Sequence, residues 1–469
     1  MSLLGFYLLP HPPIIIPEVG KGEEKKISNT IEGFRAVGKE IAEKAPETIV
    51  IITPHGTMFQ DAISMSYENE ISGNLRNFGV PDILMKLKIN KSLTSRIFEL
   101  SQEEGVAAVM TTKSFLNRYN VTFTLDHGAM VPLYFVNKYY KDYKLVHITY
   151  APLSDIDLYK FGICINKAVD ELKERAVLIA SGDLSHKLKS EGPYGFDPCG
   201  ERFDKEFLHC LEKGDVEGIF SIDKNIIYNA GECGRRSTAI LLGALDGKKF
   251  KGELMSYEGP FGVGYGIMKF ITISEDSPKL EKLESSRQAY YEKRKKQQDP
   301  YVRLARESLT TYLKTQKIMK EIPDYVTDEM KNTKRGVFVS MKKHGNLRGC
   351  IGTIFPVTNS VAEEIIRNAI ESGLNDPRFN GVEEEELKDI VFSVDVLTEP
   401  EPSSKQELDP SEYGVIVSCR GRRGLLLPDL EGVDTVERQL EIALQKAGIP
   451  PYEDYNIERF RVIRHMESL

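Results

Sequence analysis

The chain has 469 residues, which at roughly 100–200 residues per domain points to more than one domain. Hydrophobic residues make up 41% and charged residues 28%, enough for buried cores and too apolar for disorder throughout. The net charge of −8 argues against general affinity for nucleic acid or anionic lipid, and no apolar run reaches the roughly 18 residues needed to span a bilayer.

The opening MSLLGFYLLP has neither a basic n-region nor a small-residue cleavage site, so a secretory leader is not expected. The 6 cysteines (164, 199, 210, 233, 350, 419) form no CxxC pair and are too sparse for a disulfide scaffold. A reduced, cytoplasmic setting is the expectation.

In chain order, Gly5–Leu9 is a short apolar run. Ser28–Lys44 predicts a helix with Ile31, Phe34, Val37 and Ile41 on one face. Thr48–Thr53 (TIVIIT) has the β-branched content of a buried strand, and Leu145–Tyr150 and Ala176–Ala180 repeat it. A helical pattern at Asp155–Lys173 lies between the last two. This strand–helix–strand order predicts an α/β domain over 1–273, a mostly parallel central sheet flanked by helices. Ile267–Ile273 is its expected final strand. Residues 274–298 break the pattern; PKLEKLESSRQAYYEKRKKQQ reads as a solvated, charged linker helix.

A second, smaller α+β domain is expected over 299–469. Its predicted helices are Tyr301–Ile318, Val361–Ser372 and Val433–Ala447. Its strands are Gly336–Met341, Ile390–Leu397 and Gly414–Ser418, and the acidic run Glu383–Glu386 predicts a helix start.

The histidines carry the chemistry. His11 (LLPHPP), His55 (IITPHG) and His186 (LIASGDLSH) follow apolar runs, and His127 stands in LDHGAMVPLYF. In open α/β sheets ligands bind beyond the carboxyl ends of strands, so these imidazoles can converge although distant in sequence. Pro10 and Pro54 help to stop each strand before its histidine. Two imidazoles and one carboxylate form a face that suits a divalent metal and leaves positions open. Glu232 (NAGECGRRS) is the favoured acid; it also fits a first-turn partner of the helix expected at Ser237–Leu245. Glu258 (SYEGPFGVGYG) is a rival, and the adjacent Cys233 could supply a thiolate instead. The glycine-rich turn after Glu258 lacks a strand–GxGxxG–helix context, so no dinucleotide site is expected.

These segments resemble the class III extradiol ring-cleavage dioxygenases of the LigB type and their Memo-like relatives: PHPP with His11, TPHG with His55, LDHG with His127, SGDLSH with His186, and Glu232-Cys233-Gly234-Arg235. The resemblance implies Fe(II), or Zn or another divalent metal, held by His11, His55 and Glu232. It implies His186 as acid/base and His127 as a hydrogen-bond donor beside a small-molecule, catechol-like substrate and dioxygen. Memo relatives place a cysteine in a CGR context at the third position, which keeps Cys233 open. Asp183 could orient His186, and Tyr257 could face the pocket or simply pack.

The second domain resembles the AMMECR domain through DPYVRLARESL (299–309), NLRGCIGT (346–353) and NDPRF (375–379). The whole chain therefore looks like protein A of the AmmeMemoRadiSam system. That implies a radical-SAM enzyme and a Memo-like protein as partners, and an alternative role as a metal-binding accessory protein without ring cleavage. The dioxygenase relatives also imply a homodimer. Within LRGCIG, Arg348 could activate Cys350, with His344 nearby. Arg378 could reach an anion or pair with a neighbour. Arg420, Arg422 and Arg423 form a basic cluster for phosphate or RNA, or a solvated hairpin turn.

Overall fold

The computed structural model describes residues 3–296, 299–343, 345–430 and 432–467. Two compact units emerge, Met1–Arg287 and Gln288–Leu469. Among the described residues the first holds ten strands: β1 (Leu3–Leu9), β2 (Thr48–Thr53), β3 (Ile63–Ser66), β4 (Glu70–Leu75), β5 (Val80–Lys88), β6 (Ala108–Thr111), β7 (Lys144–Thr149), β8 (Ala176–Ser181), β9 (Lys248–Glu258) and β10 (Tyr265–Glu275). Eight of them form one sheet in the order β6-β3-β7-β2-β8-β1-β10-β9, and β4 pairs with β5 apart from it.

The four central strands β7-β2-β8-β1 run parallel. Both faces are covered, which is why these strands read as unbroken apolar runs. Val50, Ile52, Leu178 and Ala180 enter one core; Ile49, Ile51, Val177 and Ile179 enter the other. The helix Ser28–Lys44 buries Phe34, Val37 and Ile41 on the second face. The helices Asp155–Glu171 and Arg235–Ala244 cover the first. The flanks are mixed: β3 meets β7 antiparallel, and the expected final strand is the middle of an antiparallel β1-β10-β9 ladder. An apolar run shows that a strand is buried and leaves its direction open.

β10 continues to Glu275, and a helix spans Leu280–Lys296. Its first half is docked rather than solvated. Leu283 is buried in the first unit's core, and Lys282 and Glu284 pair with Glu217 and Lys160.

The second unit holds β11 (Val337–Lys343), β12 (Asn346–Thr353), β13 (Ile390–Leu397), β14 (Glu401–Ser403), β15 (Gly414–Cys419), β16 (Arg422–Leu426), β17 (Asn456–Phe460) and β18 (Val462–Met466). They form two four-stranded antiparallel sheets, β12-β11-β13-β18 and β14-β17-β15-β16. The helices Pro300–Thr315 and Val361–Leu374 share the core of the first; Val436–Ala447 packs on the second. Arg306 is buried in a two-bond pair with Glu467, at 2.7 and 2.8 Å. All six cysteines are free thiols. Among the described residues no helix is long and apolar enough to cross a membrane.

Candidate metal centre

β2, β8 and β1 are neighbours in the sheet and parallel, so the residues after each strand emerge at one edge. His11 follows β1 by two residues and His55 follows β2 by two. His127 is the first residue of the helix His127–Val136. The three rings meet: centroids lie 4.7 Å apart for His11 and His55, 4.3 Å for His55 and His127, and 5.6 Å for His11 and His127. His11 Nε2 and His55 Nε2 are 2.9 Å apart. His186, beyond β8, stacks on Tyr194 at 5.0 Å and interacts electrostatically with His11 and His55. Phe78 meets His127 edge-on at 5.1 Å.

Among the described residues the group able to hold a metal is His11, His55 and Cys233, whose donor atoms all lie within 4.8 Å of one another. Cys233 Sγ is 3.7 Å from His11 Nε2. Its segment reaches this edge because two glycines touch: a Cβ on Gly182 would sit 2.1 Å from Gly234 Cα. The Cys233 amide donates to the Asp183 carbonyl at 3.3 Å, and Tyr150 Oη donates to the Cys233 carbonyl at 3.0 Å.

Glu232, the expected third ligand, is not in this group. Its carboxylate accepts the Arg235 backbone N–H at 2.6 Å, in the first turn of the helix Arg235–Ala244. A negative charge is stabilised there by the free N–H groups and the helix dipole. Glu258 is also drawn to a helix start, accepting from Thr30 N and Thr30 Oγ1, both at 2.7 Å.

Hydrogen bonds fix the chemistry of His11. Ser181 Oγ donates to the Gly128 carbonyl at 2.5 Å, so it accepts from His11 Nδ1 at 2.9 Å. The proton on Nδ1 leaves the Nε2 lone pair free for a cation. Asp183 accepts the His11 backbone N–H at 2.7 Å. Burial lowers the pKa of His11 and His186, and desolvation lowers that of His55, which is open to solvent on one side. His127 falls to about 3, from burial and its two imidazole neighbours. Four neutral imidazoles suit a site that binds cations and accepts protons. Burial pushes Asp183 up to about 6 and raises the Cys233 thiol well above its ordinary value. Two imidazole nitrogens and a sulfur fit a first-row transition ion rather than Mg or Ca, and three protein donors leave positions open.

The sequence reading missed Asp126, His147 and Ser66. His147 sits inside the buried run of β7, and that misplaced polarity was the available signal. It also missed Asp204, which accepts from Ser185 N at 2.7 Å and from Tyr257 Oη at 2.8 Å.

In the second unit the Arg348 guanidinium engages Glu386 at 2.8 and 3.1 Å and the Asn380 carbonyl at 2.9 Å. Glu386 is held down at about 2 despite burial, by Arg348 and Lys343. Cys350 Sγ accepts from Ser340 Oγ at 3.1 Å, and its amide donates to Asp376 at 2.9 Å. Arg378 pairs with Asp376 and reaches the Cys350 carbonyl at 3.3 Å. Arg422 and Arg423 pair with Glu453 and Glu458, and Arg420 takes a left-handed turn position. His344 lies outside the described residues.

Residues 5–268 match the family described as the catalytic LigB subunit of aromatic ring-opening dioxygenase, and residues 302–465 match AMMECR1. Protein CA_C1420 of Clostridium acetobutylicum is 65% identical over 468 residues, with 100% of each chain covered. A Thermotoga maritima protein is 49% identical over 169 residues, 35% of this chain and 97% of its own. Among solved structures, the uncharacterized protein PH0010 from Pyrococcus horikoshii has 35% identity and a TM-score of 0.33, covering 35% of this chain and 88% of that one.

Proposed function

Because the chain belongs to the family of LigB catalytic subunits of aromatic ring-opening dioxygenases, with an AMMECR1 domain following, we propose that its first unit is a metal-dependent oxidoreductase acting on a small catechol-like molecule and dioxygen. The observation that carries this reading is the meeting of His11, His55 and Cys233 beside two further neutral imidazoles. We assign the third donor to Cys233 in place of Glu232. His11, His55 and Cys233 would hold Fe(II), or Zn(II) or another divalent transition ion, which would supply Lewis acidity and, as iron, redox capacity.

The chain's own groups supply the rest. His186 has a free lone pair at neutral pH and takes a phenolic proton, returning it later as an acid. His127, stacked on His55, serves as a hydrogen-bond donor to oxygen that gains negative charge. Tyr194 stacked on His186 and Phe78 edge-on to His127 add aromatic surface that suits a planar substrate.

The thiol at the third position favours a second reading. Here the unit binds metal without opening rings and serves as an accessory to a radical-SAM enzyme and a Memo-like protein in a reduced cytoplasm, where six free thiols persist. Homodimerisation belongs to the same proposal.

Metal analysis of anaerobically purified protein tests the ligand set. Cys233→Ala removes a direct donor and is expected to retain much less metal than wild type, while Glu232→Ala keeps it. The reverse result assigns the third position to the carboxylate and overturns our choice. Oxygen uptake by the Fe(II) protein across a panel of catechols, abolished by His55→Ala, supports the first reading. A loaded protein that takes up no oxygen leaves only the accessory role.

A further inference from the structure

Behind the stacked pair His55 and His127 lies a buried polar chain drawn from four segments. Asp126 is the N-cap of the helix that His127 begins, and its Oδ1 accepts from Ala129 N at 3.2 Å. The same Oδ1 accepts from Thr53 Oγ1 at 2.6 Å, and Thr53 Oγ1 in turn accepts the His55 backbone N–H at 3.2 Å. One carboxylate thus grips the backbone of both imidazole-bearing segments.

The other oxygen of Asp126 is held by His147. Its Oδ2 lies 2.8 Å from His147 Nε2, and His147 Nδ1 lies 2.8 Å from Ser66 Oγ on β3. Asp126, His147 and Ser66 are 9%, 3% and 6% exposed. Such a set is costly to bury unless every partner is present, and apolar residues would fill a sheet–helix core more cheaply.

The glycines after each imidazole report how tightly this chain is fitted. A Cβ on Gly56 would lie 2.1 Å from Thr149 Oγ1 and 3.2 Å from the His147 ring. A Cβ on Gly128 would lie 2.4 Å from Thr53 Oγ1 and 2.9 Å from Asp126 Oδ1. Neither segment can carry a larger residue next to its histidine without displacing the chain.

We propose that His147, acting through Asp126, is a positioning residue that sets the spacing of His55 against His127 and so the geometry in which His55 holds a metal. The inference rests on the metal-binding reading above. The effect passes through Thr53 and through the capped helix start.

The test is Co(II) titration of the full chain, read by visible absorption, for wild type, His147→Leu, His147→Gln and Asp126→Asn. His147→Leu removes the donor to Asp126, and its Co(II) affinity is expected to fall roughly 10–100-fold with a shifted absorption band. His147→Gln can still donate to Asp126 and is expected to recover most of the affinity and the wild-type band. A merely structural role lowers the melting temperature without moving the band. Asp126→Asn, near-identical in shape, makes the same comparison should His147→Leu not fold. Unchanged affinity and spectrum in the folded variant overturns this inference alone. A wild type that binds no Co(II) overturns the metal reading and the inference with it.

Discussion

Asp204 is a carboxyl whose surroundings favour its neutral form. It is 1% exposed, and burial raises it to about 7 from an ordinary 3.8, against the pull of its bonds to Ser185 N and Tyr257 Oη. The native state therefore holds this proton more tightly than the unfolded chain does. Stability from this group is full below about pH 4 and is lost as pH rises towards 7. Asp204→Asn keeps an acceptor for Ser185 and has no charge to bury. Its melting temperature, compared with wild type, is expected to improve between pH 5 and pH 8; a constant difference across that range would remove the case for a raised pKa. Single residues shape the candidate metal centre too. His55 was visible as a strand-end histidine, whereas the choice between Glu232 and Cys233 turns on one step of backbone at the entry to a helix, where Glu232 finds free N–H groups.

At the scale of elements, the site depends on backbone contact between the end of β8 and the start of the helix Arg235–Ala244. Gly182 and Gly234 pack so closely that a methyl group on Gly182 meets Gly234 Cα at 2.1 Å. Neither partner is a flexible side chain, so the two segments must part. Gly182→Ala is expected to destabilise the first unit by about 1–3 kcal/mol, measured by urea unfolding, and to weaken Co(II) binding by moving Cys233. Full metal affinity in the variant would mean that the thiol does not depend on this contact. Element boundaries were legible where local chemistry is strong. The helix Ser28–Lys44 ends as expected, at Ala45 in the left-handed region just before Pro46. The β-branched run Thr48–Thr53 is a strand over its full expected length. The short strands β3 and β6 and the β4–β5 hairpin went unread: β3 and β6 have only 4 residues each, and β4, whose burial alternates strictly, has Gly73 at an inward position where a large apolar side chain would mark the period.

At the scale of the whole molecule, each unit has its own core, and the candidate metal donors His11, His55 and Cys233 all come from the first. Calorimetry is expected to show two transitions, with Co(II) raising only one of them, because a ligand stabilises the unit that binds it. The unaffected transition should match that of a fragment spanning 299–469. A single transition that shifts as a whole with metal would show that the units unfold together. The buried Arg306–Glu467 pair, also anchored on the carbonyls of Leu387 and Ile390, ties the first helix of the second unit to its last strand region, which such a fragment preserves.

Local order was enough to read the class of each unit, the central strands with their terminal histidines, and the family these motifs mark. Those features depend on residues close in sequence: β-branched runs, a proline that stops a strand, a helical period. Tertiary structure decided the direction of the flanking strands, the approach of the Cys233 sulfur to His11 and His55, and the Ser66–His147–Asp126 chain. Each of these arises where segments tens of residues apart touch, and spacing along the chain carries no record of which side chain turns inward when they do.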